Sequence, residues 1–150
     1  MRVLSPNRRA AITALGQLDI EPDQLLPVVI KGIADKEPSL RQASVAALIT
    51  NQSAAKHAIP SLVELLQHEQ RYVNISAADA LGHISSAGKD AAVGLIQIMQ
   101  RIARTEIAPY AKTLSRLGPD AVPLIIEAIQ KDEIPNQSLV DALIGLGQPA

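Results

Sequence analysis

Leu26-Pro27-Val28-Val29-Ile30 returns as Ile59-Pro60-Ser61-Leu62-Val63 and again as Ala92-Val93-Gly94-Leu95-Ile96, each copy displaced by 33 positions. A second register keeps the same step: Ala14-Leu15, Ala47-Leu48, Ala80-Leu81 and Thr113-Leu114 also stand 33 residues apart. Two apolar registers locked to one period mean two helices per unit, copied along the chain. One such unit cannot bury its own apolar face, whereas stacked units share a continuous core. The fold this implies is all-α, an α-solenoid, with residues 1–150 forming a single domain.

Within each helix the apolar residues recur at i, i+3, i+4 and i+7, which gives one buried stripe rather than a coiled-coil seam or a membrane span. Leu26, Val29, Ile30 and Ile33 match Ile59, Leu62, Val63 and Leu66, and match Val122, Ile125, Ile126 and Ile129. Ala11, Ala14, Leu15 and Leu18 match Ala77, Ala80, Leu81 and Ile84. The spacing predicts helices over 6–18, 22–34, 38–51, 55–67, 71–85, 89–104, 105–117, 119–131 and 135–147. Pro6, Pro22 and Pro38 stand at helix starts, where a missing N–H costs nothing. Gly118-Pro119-Asp120 ends one helix and opens the next. Asn51 stands in a column otherwise filled by Leu18, Ile84, Leu117 and Leu146, and reads as a turn residue closing the helix before it. The last step is shorter, since Leu117-Gly118 and Leu146-Gly147 are 29 positions apart.

Composition narrows the function classes. Hydrophobic residues make up 47 % of the chain and aromatics only 1 %, so the core must be aliphatic. That suits closely packed helices better than a sandwich or barrel. Fourteen basic and 15 acidic residues leave a net charge of −1, without the basic footprint of a nucleic-acid binder. Cysteine is absent, which excludes disulfides, thiolate metal sites and a cysteine nucleophile. No run approaches the length needed to span a bilayer and no signal-peptide pattern opens the chain, so the expected location is cytoplasmic, away from membranes. His57, His68 and His83 fall on separate repeats without metal-ligand spacing, and no nucleophile–base spacing or phosphate loop occurs. Neither a metal, a cofactor nor enzymatic activity is therefore expected.

The unit Leu26-Pro27-Val28-Val29-Ile30-Lys31-Gly32-Ile33-Ala34-Asp35, followed by Ser39-Leu40-Arg41-Gln42-Ala43-Ser44-Val45-Ala46-Ala47-Leu48, resembles HEAT-like repeats. Ala121-Val122-Pro123-Leu124-Ile125-Ile126 and Ala78-Asp79-Ala80-Leu81-Gly82 extend the likeness over the whole chain, and the short period is similar to the phycobilisome-lyase-type bacterial variety. The resemblance implies a right-handed α/α superhelix of about four helix pairs, at 22–51, 55–85, 89–117 and 119–147, behind an orphan second helix at 6–18. It also implies a turn aspartate and a following arginine in a ladder of ion pairs. Asp35 and Arg41 fit as a structural pair; His68 and Asn74, then Arg101 and Ile107, do not.

In this family the second helix of each repeat lines the concave face. That places Thr13, Ala46, Asp79, Lys112 and Asp141 in one solvent-facing column, and Gln17, Thr50, His83, Arg116 and Gly145 in the next. Thr13, Gln17, Thr50, Asp79, His83, Lys112, Arg116 and Asp141 are thus the candidate partner-binding residues. Asp79 and His83, like Lys112 and Arg116, are four apart and so adjacent on their helix. Tyr110 lies in a column otherwise occupied by Ala11, Ser44 and Ala77 and reads as a structural filler. The expected function is a non-catalytic scaffold holding a protein or peptide on its concave face. The subtype resemblance implies an alternative, a lyase-like or accessory subunit acting on a tetrapyrrole-bearing protein. The final helix carries Leu139, Val140, Leu143, Ile144 and Leu146 with little polar capping, so either the solenoid continues or its ends pair with another copy.

Overall fold

A computed structural model describes residues 5–84, 87–132, 134 and 136–147. Among these residues the chain forms nine α-helices and no strand: α1 (Ser5–Gln17), α2 (Pro22–Ile33), α3 (Pro38–Thr50), α4 (Gln52–Leu65), α5 (Arg71–Gly82), α6 (Gly88–Arg101), α7 (Ala108–Leu114), α8 (Val122–Gln130) and α9 (Asn136–Leu146). Short 3-10 turns at Arg104–Glu106 and Pro119–Ala121 precede α7 and α8. The even helices pack in sequence against one another, as do the odd ones, and each even helix packs on the odd helix after it. The result is a two-layer solenoid, one layer of first helices and one of second helices.

The core follows the two repeat registers from α2 onward, whereas in α1 Ala11 and Ala14 of the expected stripe are exposed, as is Leu18 just past its end, and Ile12 is the buried residue. Val29, Leu62, Leu95 and Ile125 are fully buried, and so are Leu81 and Leu114, with Leu48 at 1 % exposure. Each such aliphatic side chain is worth about 1.5–3 kcal/mol of transfer free energy.

Proline and asparagine set the helix boundaries. α7 is much shorter than the expected 105–117. Ile102 and Ala103 are extended, Arg104–Glu106 form a 3-10 turn, and α7 starts at Ala108 with Pro109 in its first turn, where a missing N–H costs nothing. α6 accordingly stops at Arg101, three residues short of expectation. The helix expected over 119–131 is divided, its first turn being 3-10 and only Val122–Gln130 α-helical. Conversely, α4 begins three residues early. Asn51 is its N-cap, with Oδ1 accepting from the Ala54 N–H at 3.0 Å, while Nδ2 donates to the Ile20 carbonyl at 3.4 Å. Its φ of −101° is not left-handed, so its value lies in the side-chain cap rather than in turn geometry. Gly118, at φ 86° and ψ −178°, is where only glycine is comfortable, and it links the end of α7 to the 3-10 turn before α8. Ser85, Ser86 and Pro135 lie outside the described residues.

The expected Asp35–Arg41 ion pair is replaced by a different arrangement. The Asp35 carboxylate pairs with Arg8 of α1 at 2.8 Å and accepts from the Glu37 N–H at 2.9 Å. That N–H, joined by Arg8 against the opposing cost of burial, holds the carboxyl below its usual pKa. Arg41 donates instead to the backbone carbonyls of Asp35 and Lys36, at 3.0 and 2.9 Å.

The next repeat reproduces both bonds with other side chains. The His68 Nδ1 accepts from the Gln70 N–H at 3.0 Å, and Asn74 Nδ2 donates to the His68 carbonyl at 3.2 Å. What the repeat conserves is therefore a tied-down turn, and charge is incidental to it. In the third repeat Ile107 is buried and supplies no donor, and the 3-10 turn takes over.

Asn74 is also held from the other side. Tyr110 is 1 % exposed, and its hydroxyl donates to Asn74 Oδ1 at 2.7 Å. Tyr110 is thus the structural filler expected, and burial pushes its hydroxyl above the usual tyrosine pKa. Tyr110→Phe leaves Asn74 Oδ1 buried without this donor. A loss of about 1–3 kcal/mol in a urea titration is expected. A neutral result would mean that solvent reaches Asn74.

Candidate functional site

Three second helices, α3, α5 and α7, enclose a cleft of about 410 Å³. Val45 and Ile75 give it apolar ground, and Pro38 and Pro109, from the first turns of α3 and α7, close one end. Arg41, Gln42, Ser76 and Thr113 supply polar side chains, with Asp79, His83, Lys112 and Arg116 along the opposite stretch. The Ser76 and Thr113 hydroxyls donate back to the Tyr72 and Pro109 carbonyls, at 2.8 and 3.1 Å, so their remaining capacity is as acceptors.

The charges divide unevenly. His83 Nε2 lies 3.7 Å from Asp79 Oδ1, a loose exposed pair within α5 and its C-terminal cap. Arg41 is committed to its two carbonyls and sits 4.8 Å from the Tyr72 ring centroid, a cation–π distance that fixes the guanidinium. Lys112 and Arg116 are exposed, and among the described residues neither side chain makes a hydrogen bond or ion pair. The lining holds three cationic side chains, Arg41, Lys112 and Arg116, against the single carboxylate of Asp79.

Four of the candidate residues, Asp79, His83, Lys112 and Arg116, therefore share one cleft. Thr13, Gln17 and Thr50 are exposed but do not line it. The Thr13 and Thr50 hydroxyls are turned back onto the Arg9 and Ala46 carbonyls, each at 3.0 Å. Asp141 accepts from Gln137 at 2.8 Å and lies in a smaller hollow between α7 and α9, which Lys112 also borders. Arg41, Gln42 and Ile75 line the cleft but were not among the candidates. The 33-residue step does contain a signal for two of them: Gln42 and Ile75 form the column one helical turn before Ala46 and Asp79.

Among the described residues no group of three His, Asp or Glu side chains converges on a metal position, and no helix is long and apolar enough to cross a membrane. A family model for HEAT repeats matches residues 26–110. The chain belongs to the HEAT repeat family. HEAT repeats commonly mediate protein–protein interactions and are typically non-catalytic. The matched span begins in α2 and ends in the first turn of α7, so it takes in α3 and α5 and stops short of Lys112, Thr113 and Arg116. Comparison with curated proteins returned no match. In this HEAT repeat chain the cleft joins three consecutive repeats, so a molecule occupying it contacts all three.

Proposed function

We propose that the chain is a non-catalytic scaffold that holds an extended, acidic segment of a partner protein in the α3–α5–α7 cleft. The observation that carries this reading is the pair Lys112 and Arg116. Lys112 lies in the last turn of α7 and Arg116 just past its C-terminal cap; both are exposed and without a partner among the described residues, and they line the cleft together with the apolar Val45 and Ile75. Charge of this kind steers an anionic partner, while the apolar ground supplies the contact that outlasts screening by salt. Arginine is among the residues most often carrying interface energy. Thr13, Gln17, Thr50 and Asp141 extend the same helix layer and form the flanks of the proposed surface.

The test is the double charge reversal Lys112→Glu with Arg116→Glu. Both residues are exposed, so helicity by circular dichroism is expected to stay unchanged. Capture of a crosslinked partner at the cleft is expected to fall by at least about tenfold. Equal capture by the double variant and the unaltered chain would remove the cleft as the binding surface.

A further inference from the structure

Arg41 lines the cleft with a guanidinium that is only partly used. The two N–H groups of Nη1 go to the carbonyls of Asp35 and Lys36, at 3.0 and 2.9 Å. Nε and Nη2 make no hydrogen bond among the described residues, so three N–H donors remain along one edge of the fork. Asp35, the acid expected beside this arginine, is taken by Arg8. The plane of the group is set from two sides, by the two carbonyls and by the Tyr72 ring, whose centroid lies 4.8 Å from Cζ. A guanidinium fixed in this way presents parallel N–H groups, the geometry that a carboxylate accepts with both oxygens.

Helix α5 runs from this group to the other cations of the cleft. Arg41 stands over Tyr72 in the first turn of α5. At the far end the stem of Arg116 passes Gly82, where an added Cβ would lie 3.5 Å from its Cδ. Tyr72 and Gly82 are ten positions apart, which is about 15 Å along a helix. Ile75 lies between them and shares the apolar ground with Val45 of α3. An extended segment rises about 3.3 Å per residue and turns alternate side chains to one face, so residues four apart span about 13 Å on the same side.

We infer that Arg41 is a second anchor of the cleft, and that it selects a segment of the pattern acid-x-aliphatic-x-acid lying extended along α5. This rests on the reading of the cleft as a site for an acidic segment, and adds which residues that segment carries. One carboxylate is accepted by Nε and Nη2 of Arg41. The other meets Arg116, with Lys112 beside it, and the aliphatic residue between them sits on Val45 and Ile75. The Asp79 carboxylate, between the two ends, opposes a third acid there.

The probe is the heptapeptide Ser-Glu-Ser-Val-Ser-Glu-Ser, acetylated and amidated so that only its glutamates are charged. Titrated into the isotope-labelled 150-residue protein, it is expected to saturate with a dissociation constant below about 1 mM. The Arg41 Nε–H resonance is expected to move downfield, and to stay in place when both glutamates are replaced by glutamine. Arg41→Lys keeps the charge and loses the fork, and is expected to weaken binding at least about fivefold. Setting the glutamates one position further apart turns them to opposite faces and is expected to cost at least about as much. Binding that survives Lys112→Glu with Arg116→Glu would overturn the reading of the cleft itself, and this inference with it. Binding that the double variant abolishes, but that leaves the Arg41 Nε–H unmoved or is equal for Arg41→Lys, would overturn the anchor alone. No saturation up to about 5 mM, or equal binding at the wider spacing, would overturn the pattern. The resonance is read on the unaltered protein, so its outcome stands even if Arg41→Lys loosens the turn at Asp35.

Discussion

Leu81→Ala is expected to lower the free energy of unfolding by about 2–5 kcal/mol. Leu81 is fully buried in α5, the middle member of the second-helix layer, with α3 on one side and α7 on the other. A cavity there cannot close by collapse from one side, because both flanking helices are held by their own repeats. Stability of a domain is about 5–15 kcal/mol in all, so this loss is a large share of it. In a solenoid each unit touches only its neighbours, so weakening the middle unit uncouples the two halves. The midpoint of a urea titration should fall, and the transition should broaden as the halves melt apart. Leu18→Ala is the control. Leu18 is 57 % exposed, and a change within about 0.5 kcal/mol is expected there. If both variants unfold at the same midpoint, the core is not continuous through α5.

Gly16→Val acts on backbone proximity rather than on core volume. A Cβ at Gly16 would lie 2.6 Å from the Cα of Ala47 and 2.7 Å from its Cβ. No rotamer relieves a contact with backbone, so α1 has to move away from α3, its principal packing partner. The expected cost is about 1–3 kcal/mol or somewhat more. α1 has 13 residues, too few to hold a helix in water without tertiary support. Hydrogen exchange should therefore show α1 amides losing protection by roughly tenfold to a hundredfold, with α5 to α9 unchanged. Uniform loss along the whole chain would contradict the neighbour-by-neighbour coupling of a solenoid. Unchanged protection in α1 would mean that it does not depend on α3.

Much of this architecture was readable because each helix repeats its stripe at a fixed step. Leu48, Leu81 and Leu114 recur at 33 residues in sequence and recur as buried positions in space. Pro22 and Pro38 marked helix starts correctly because proline acts locally, through its own φ and its missing N–H. Pro109 also stands in a first turn, but Pro27 and Pro60 lie inside α2 and α4, so proline alone could not have shortened the expected helix over 105–117. Asn51 was harder. As a turn residue it needs no partner, but as a cap it needs the Ala54 N–H and the Ile20 carbonyl, the second of which is 31 residues away.

The candidate site was half legible. Register placed Asp79, His83, Lys112 and Arg116 on one face, and they do line one cleft. Register could not tell which of them are already satisfied. Asp79 meets His83 at the C-terminal end of α5, while Lys112 and Arg116 make no hydrogen bond or ion pair among the described residues. Nor could it show that Asp35 would take Arg8, 27 residues earlier, in place of Arg41, leaving Arg41 to bind two carbonyls and stack on Tyr72.

The sequence by itself determined the helical class, the two-helix unit, its period and the apolar face of most helices, because all of these follow from spacing along one chain. Only the tertiary structure decided which polar groups pair, where three helices part to form a cleft, and which residues of the repeated stripes stay exposed. Those depend on distances between units, and a pattern that repeats identically along the chain carries no information about where the repetition leaves a group without its partner.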